Sequence, residues 1–122
     1  MKKFYKCTVC GNMLGLIYNG KGPLECCNKN MKELVANTEE ASTEKHLPEV
    51  NVSGDRVVVQ IGSVPHPMEE SHHIEFIYLE TKSGGQLKYL NINEEPTATF
   101  TLHDGELVAC YEYCNLHGLW KT

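Results

Sequence analysis

The sequence predicts an all-β protein built in two parts, a small metal-stapled module followed by an antiparallel β-sandwich of the immunoglobulin type. Three observations predict it. From residue 56 onward, short runs of alternating apolar and polar residues recur with no helical period. Turn signals built on Gly, Asp and Pro separate those runs at short intervals. Ahead of them, residues 1–36 hold four cysteines but too few apolar side chains to fold alone.

The N-terminal module spans residues 1–36. Its apolar residues, among them Phe4, Tyr5, Leu14, Leu16 and Ile17, make at most a minimal core, so a metal has to hold it. Cys7 and Cys10 form a C-x-x-C pair and Cys26 and Cys27 an adjacent pair, with turn signals between them at Gly11-Asn12 and Asn19-Gly20-Lys21-Gly22-Pro23. Four thiolates make a soft, tetrahedral site suited to iron or zinc. A zinc ribbon ends in a second C-x-x-C. The adjacent pair departs from that spacing and favours a distorted tetrathiolate iron. Zinc, or a disulfide across Cys7 and Cys10 or across Cys26 and Cys27, stays open on the cysteines alone, the disulfides being disfavoured in a reducing compartment.

Residues 37–44 are polar, lack an apolar period and read as a linker, which leaves 45–122 as the second domain. The alternation predicts strands over 56–61, 74–79, 86–92, 97–102 and 107–113. Hairpin-type turns are expected at Gly54-Asp55, Ser83-Gly84-Gly85 and Asp104-Gly105, and Glu95-Pro96 breaks the pattern before the fourth strand. Strands of this length and spacing fit a seven-stranded or similar sandwich.

Composition excludes several classes. With 122 residues and 41% hydrophobic content, the chain can bury one modest core. No apolar run approaches the roughly 20 residues of a spanning helix, and Met1-Lys2-Lys3-Phe4-Tyr5-Lys6-Cys7 lacks the apolar stretch of a secretory signal. A cytoplasmic location without membrane association is therefore expected, and thiols there read as metal ligands or redox groups. A net charge of -5 argues against nucleic acid, which calls for a clustered basic surface. An anionic substrate has to be attracted locally.

The chemistry concentrates in loops. In Glu112-Tyr113-Cys114-Asn115-Leu116-His117-Gly118 a thiolate and an imidazole stand three residues apart where a strand pattern ends, a spacing that lets both reach one ion. His46, His66 and His72 lie in two further loop-like segments and complete a set of four imidazoles and one thiolate around one iron. His73 follows His72 directly, and adjacent side chains of an extended chain face opposite ways, so it is left outside the set. Cys110 shares strand parity with Cys114 but lies about 13 Å along the strand, and reads as a small buried hydrophobe. His103 reads as a surface residue beside a turn, Met68 as packing, and Glu69 and Glu70 as solvated charges.

These motifs together resemble the desulfoferrodoxins, the two-iron superoxide reductase family. The resemblance rests on Cys7-x-x-Cys10 with Cys26-Cys27, on Glu44-Lys45-His46, on the run from Gly62 to His72, and on Glu112 to Gly118, and so covers almost the whole chain. It implies a desulforedoxin-like N-terminal domain carrying a tetrathiolate iron and an immunoglobulin-like domain carrying a catalytic iron. It further implies equatorial His46, His66, His72 and His117 with Cys114 axial, a homodimer, and rubredoxin or a similar small electron donor. Read alone, Glu44 and Lys45 are a solvated charge pair. The resemblance makes Lys45 the residue that attracts and hydrogen-bonds superoxide, and Glu44 the occupant of the sixth iron position in the resting state. His73 departs from the family pattern, standing where a bulky aromatic residue is expected.

The donor types agree with that chemistry. Ferrous iron with neutral imidazoles and one thiolate carries a formal charge of about +1, against about -2 with four thiolates, so an anion goes to the histidine-rich centre. Five protein ligands leave one octahedral position open. The expected reaction adds one electron and two protons to superoxide, giving hydrogen peroxide without release of oxygen. Two other readings stand beside it: a non-catalytic iron electron carrier, in which the second centre is saturated, and a zinc-stabilised binding domain, which is colourless.

Overall fold

The computed structural model describes residues 2–102 and 106–122, which form two compact units, one up to Val35 and one from Ala36. The expected Asp104-Gly105 turn and His103 lie outside the described residues. Almost all regular structure is β, and the only described helix, four residues long, is far too short to cross a membrane.

In the first unit, strands β1 (Lys3–Lys6), β2 (Met13–Leu16), β3 (Glu25–Cys26), β4 (Lys29–Asn30) and β5 (Lys32–Leu34) form a three-stranded sheet, in the order β2-β1-β5, and a β3-β4 hairpin. Only Phe4 and Cys7 are buried among its described residues, which is no core in the usual sense. The hairpin explains the adjacent cysteines. Cys26 pairs with Lys29, leaving Cys27 and Asn28 as a two-residue loop, and both have positive φ, 54° and 61°, the signature of a tight primed turn. Cys26 ends a strand and Cys27 begins the turn, so two neighbouring thiols that an extended chain would point apart reach the same place.

The second unit opens with one helical turn, α1 (Thr43–His46), followed by β6 (Pro48–Ser53), β7 (Arg56–Ile61), β8 (Ile74–Thr81), β9 (Gly84–Tyr89), β10 (Thr97–Thr101), β11 (Leu107–Cys114) and β12 (Gly118–Lys121). Seven antiparallel strands make two sheets, β10-β7-β6 and β12-β11-β8-β9, the sandwich expected from the sequence. The burial alternation of β7 sends Val57, Val59 and Ile61 inward, where they meet Ile74, Ile77, Leu79, Phe100 and Cys110.

In the second unit, three elements escape the sequence reading for identifiable reasons. β6 is an edge strand in which only Pro48 is buried, so its pattern looks like a loop. β12 is four residues long and starts on glycine. α1 is a single turn with no side-chain cap. The expected strand over 86–92 instead runs from Gly84 to Tyr89, because Thr81 pairs with Gly84 and the turn tightens onto Lys82-Ser83. The glycines belong inside the strand: the Tyr78 hydroxyl occupies the space a Cβ at Gly85 would need.

Candidate metal centres

The four cysteine sulfurs of the first unit converge. Cys7, Cys10, Cys26 and Cys27 offer donor atoms all within 4.8 Å of one another. The Cys10 and Cys26 sulfurs are 3.6 Å apart and those of Cys26 and Cys27 3.9 Å. A tetrahedral ion with metal–sulfur bonds near 2.3 Å places its sulfurs about 3.8 Å apart, so the cluster has the dimensions of a tetrathiolate centre. All six cysteines are unpaired. The Val9 and Cys10 amides donate to Cys7 Sγ, each at 3.4 Å, and the Asn12 amide to Cys10 Sγ at 3.5 Å. Led by the Cys10 amide, those hydrogen bonds lower the Cys7 thiol to about 6, while hydrogen bonding with Cys10 and Cys7 raises Cys26 to about 12.

In the second unit every candidate donor stands at the end of a strand or on the turn beside it. His46 closes α1 and His66 follows β7, and Gly62 brings them together. Its φ of +86° and its amide bond to the Leu47 carbonyl at 3.0 Å press the turn against α1. His72 precedes β8, Cys114 ends β11 and His117 lies in the turn to β12, so the last three belong to neighbouring strands of one sheet.

The four imidazoles form a ring of neighbours. Centroid separations run 4.7 Å from His46 to His66, 4.6 Å to His72, 5.2 Å to His117 and 5.0 Å back to His46, while His46 and His72 face each other across 6.4 Å. Four short sides and a longer diagonal describe a square. His46 Nε2 and His66 Nε2 are 3.2 Å apart, close to the roughly 3 Å between nitrogens bound at right angles to one metal. Cys114 Sγ lies 3.5 Å from His66 Nε2 and 3.9 Å from His117 Nδ1, against the same convergence point.

Hydrogen bonds fix which nitrogen two of the rings present. His46 Nδ1 donates to the Ser42 carbonyl and His66 Nδ1 to the Pro67 carbonyl, both at 2.7 Å. A carbonyl only accepts, so these nitrogens carry the proton and Nε2 keeps its lone pair for a metal. His72 Nε2 is buried with no hydrogen-bond partner, an orphan that a metal satisfies. Burial drives His46, His66 and His72 towards the neutral, ligating form, His66 to about 4, and Lys45 adds to the effect at His46 and His72. The Cys114 thiol is raised by burial despite the amide of His117 donating to its sulfur at 3.4 Å, so a cation is needed to hold it as thiolate.

His73 points elsewhere. Its Nδ1 donates to the Glu69 carbonyl and its Nε2 to Glu75 Oε1, both at 2.9 Å. Partial burial disfavours its charge, but the two acceptors outweigh that and raise its pKa, which makes it an ion-pair partner of Glu75. Cys110 is buried in the core, as is Met68, whose sulfur accepts from the Ile74 amide at 3.3 Å. Glu44 and Lys45 are both exposed on α1.

Sequence reasoning missed two residues that support the donors, and a buried carboxyl on the strand that ends in Cys114. Trp120 stacks on His46 and donates its indole N–H to the His117 carbonyl at 3.0 Å. Asn115 ties two of the donor-bearing turns together. Glu112, fully buried on β11, has both carboxylate oxygens unpartnered, and burial raises its pKa to about 9. Nothing in a one-dimensional pattern separates these from packing residues.

A sulfur-only cluster in one unit, and an imidazole square with a thiolate on an immunoglobulin-like sandwich in the other, define a two-centre non-haem metalloprotein. The chain belongs to the desulfoferrodoxin family. The family model described as Desulfoferrodoxin matches residues 38–122, and the one described as Desulfoferrodoxin, N-terminal domain matches 1–34. A desulfoferrodoxin of Syntrophotalea carbinolica is 43% identical over 97% of this chain and 93% of its own length. Among solved structures, the superoxide reductase from Treponema pallidum superposes with a TM-score of 0.83 at 34% identity, covering 100% of this chain and 98% of that one. The one-iron superoxide reductase from Giardia intestinalis matches 66% of this chain and 96% of its own at a TM-score of 0.57 and 36% identity.

Proposed function

We propose that the protein is a superoxide reductase, converting superoxide to hydrogen peroxide at a single iron held by His46, His66, His72, His117 and Cys114. The observation that carries the reading is the square of four imidazoles with one thiolate sulfur beside it. Iron held by these five residues would supply the electron for a one-electron reduction. Cys7, Cys10, Cys26 and Cys27 would hold a second iron, which would supply a store of electrons.

The chain's own residues do the rest. His72 and His117 are only half-buried while His46 and His66 are buried, so solvent and a small anion reach the centre from the former pair's side. Lys45 directly precedes His46, and its charge already acts on His46 and His72. It draws superoxide against a chain of net charge -5 and donates hydrogen bonds to the anion as it is reduced. Glu44, its exposed neighbour, would offer the iron a further carboxylate ligand when no substrate is bound.

The same proposal divides the chain into a cysteine module over 1–36, a linker over 37–44 and a catalytic domain over 45–122, a division that the two compact units support. It includes a homodimer, a cytoplasmic location, which the unpaired cysteines favour, and electron supply from rubredoxin or a similar small protein. The first unit carries Lys2, Lys3, Lys6, Lys21, Lys29 and Lys32 against Glu25 and Glu33, a balance that suits a donor with an acidic face.

The test is a limiting pulse of superoxide mixed with the anaerobically reduced protein, with visible absorption and oxygen followed together. A thiolate-to-ferric band with peroxide formed and no oxygen released is the expected result. Oxygen release would indicate dismutation instead. An optically silent protein containing zinc would remove the redox chemistry altogether.

A further inference from the structure

The geometry points to Asn115 as the positioning residue that sets His72 in the catalytic centre, by replacing a missing rung of the β8–β11 ladder with its side chain. The inference rests on the metal-centre reading above and concerns how the chain presents one of that centre's donors.

The ladder loses register where the donors begin. Tyr113 pairs with Phe76 but Cys114 pairs with Ile74, so Glu75 is an extra residue in a bulge. Beyond it, the Asn115 amide donates to the His73 carbonyl at 3.1 Å, as a continuing strand would. The reciprocal bond does not go to a backbone carbonyl. The His73 amide donates to Asn115 Oδ1 at 2.8 Å, and Asn115 Nδ2 donates to the Ser71 carbonyl at 3.0 Å. One side chain therefore holds the backbone on both sides of His72 while its own residue adjoins Cys114.

His72 needs that support more than His46 and His66 do. The rings of His46 and His66 are oriented by carbonyls on Nδ1, whereas among the described residues no hydrogen bond holds the His72 ring, and its buried Nε2 is unpartnered. With no acceptor to pin the ring, its placement falls to the main chain at 71–73, which Asn115 grips at three points. Only an amide of this length supplies an acceptor for one amide and a donor for one carbonyl at once.

The experiment compares the full chain, loaded with iron, as wild type, Asn115→Ala and Asn115→Asp. The Asp variant keeps the acceptor for the His73 amide, loses the donor to Ser71 and adds a negative charge in its place. The rate at which ferrous ion leaves the histidine-rich centre to excess chelator should rise about 10–100-fold in the Ala variant and by less in the Asp variant, with a shift of the thiolate-to-ferric band in each. Thermal stability is read with and without iron. A positioning role lowers the stability of the loaded protein more than that of the metal-free one. Equal losses in both forms, with wild-type iron release and an unshifted band, would overturn the inference and leave Asn115 a turn residue. Should the Ala variant fail to fold, the Asp variant decides by the same readings. A wild-type protein that takes up no iron at the histidines would overturn the metal-centre reading itself, and this inference with it.

Discussion

Trp120 lies flat against His46, ring centroids 4.9 Å apart and planes inclined by 24°, and the same indole donates to the carbonyl of His117. A single side chain from the last strand thus fixes one donor through its ring and another through its backbone. Trp120→Phe keeps the stacking and removes the hydrogen bond, which should cost about 1 kcal/mol of stability in the metal-loaded second unit. Trp120→Ala removes both and should cost about 3–5 kcal/mol. Denaturation of the two variants side by side checks the ordering; equal losses would mean that the stacking contributes nothing beyond the hydrogen bond, and a Phe variant as stable as wild type that the hydrogen bond contributes nothing.

Gly62 holds the other half of the site. Its φ of +86° disfavours any side chain, and a Cβ there would stand 2.7 Å from the Lys45 carbonyl oxygen, which is backbone and cannot swing aside. Gly62→Ala should therefore cost at least about 3 kcal/mol, the left-handed backbone and the clash acting together. It should also loosen His46 and His66, because the glycine amide bonds to Leu47, the residue after His46. Thermal denaturation and iron content measured together test this; a variant with normal stability would show that α1 yields.

How much of this was legible beforehand follows from which side chains carry a one-dimensional signal. β7 announces itself because its burial alternates strictly, and its bounds, Arg56 to Ile61, match the periodicity. Cys114 and His117 are legible because a metal-binding pair needs short spacing. The spacing cannot show that Asn115, between them, bonds to residues 71 and 73, over 40 positions earlier. The pairing of β8 with β11 creates that neighbourhood, and a bulge sets its detail. The turn at Cys27-Asn28 is similar: Asn28 is a residue that tolerates positive φ, but nothing in the sequence marks Cys27 for it.

Lys45 is where electrostatics should be measurable in kinetics. The lysine is exposed, so its attraction for a small anion is screened by salt. Lys45→Ala should slow superoxide capture by roughly tenfold at low ionic strength and flatten the salt dependence, leaving the iron content unchanged. Stopped-flow or pulse-radiolysis rates across ionic strength test it. A salt-insensitive wild-type rate would sink the steering role.

Cys110 separates a buried thiol from the ligating ones. Burial raises its pKa to about 12, with Glu112 adding a smaller push, so the native state keeps the proton that an unfolded cysteine releases near its ordinary value of 9.0. Its contribution is fully present below pH 9 and is lost as pH rises towards 12, at up to about 1.4 kcal/mol per pH unit. Native protein should resist alkylation at Cys110 at pH 9, and Cys110→Ala should show a shallower fall of stability between pH 9 and 11 than wild type. Rapid native labelling of Cys110 would contradict its place in the core.

The two units should fail separately. Phe4 and Cys7 are the only buried residues described in the first, so the free energy of metal binding has to supply most of its folding. The second has an apolar core of its own, from Val57 and Val59 through Phe100 and Cys110. Cys7→Ser removes a sulfur that is itself buried and accepts two backbone amides, which a tetrathiolate centre does not survive. The variant should lose one iron per chain and the dispersion of backbone amide NMR signals over residues 2–35, while the absorption of the histidine-rich centre and its superoxide reaction persist. Collapse of both centres together would mean that the cysteine module is needed to fold the sandwich, a dependence for which the core of the second unit gives no physical reason.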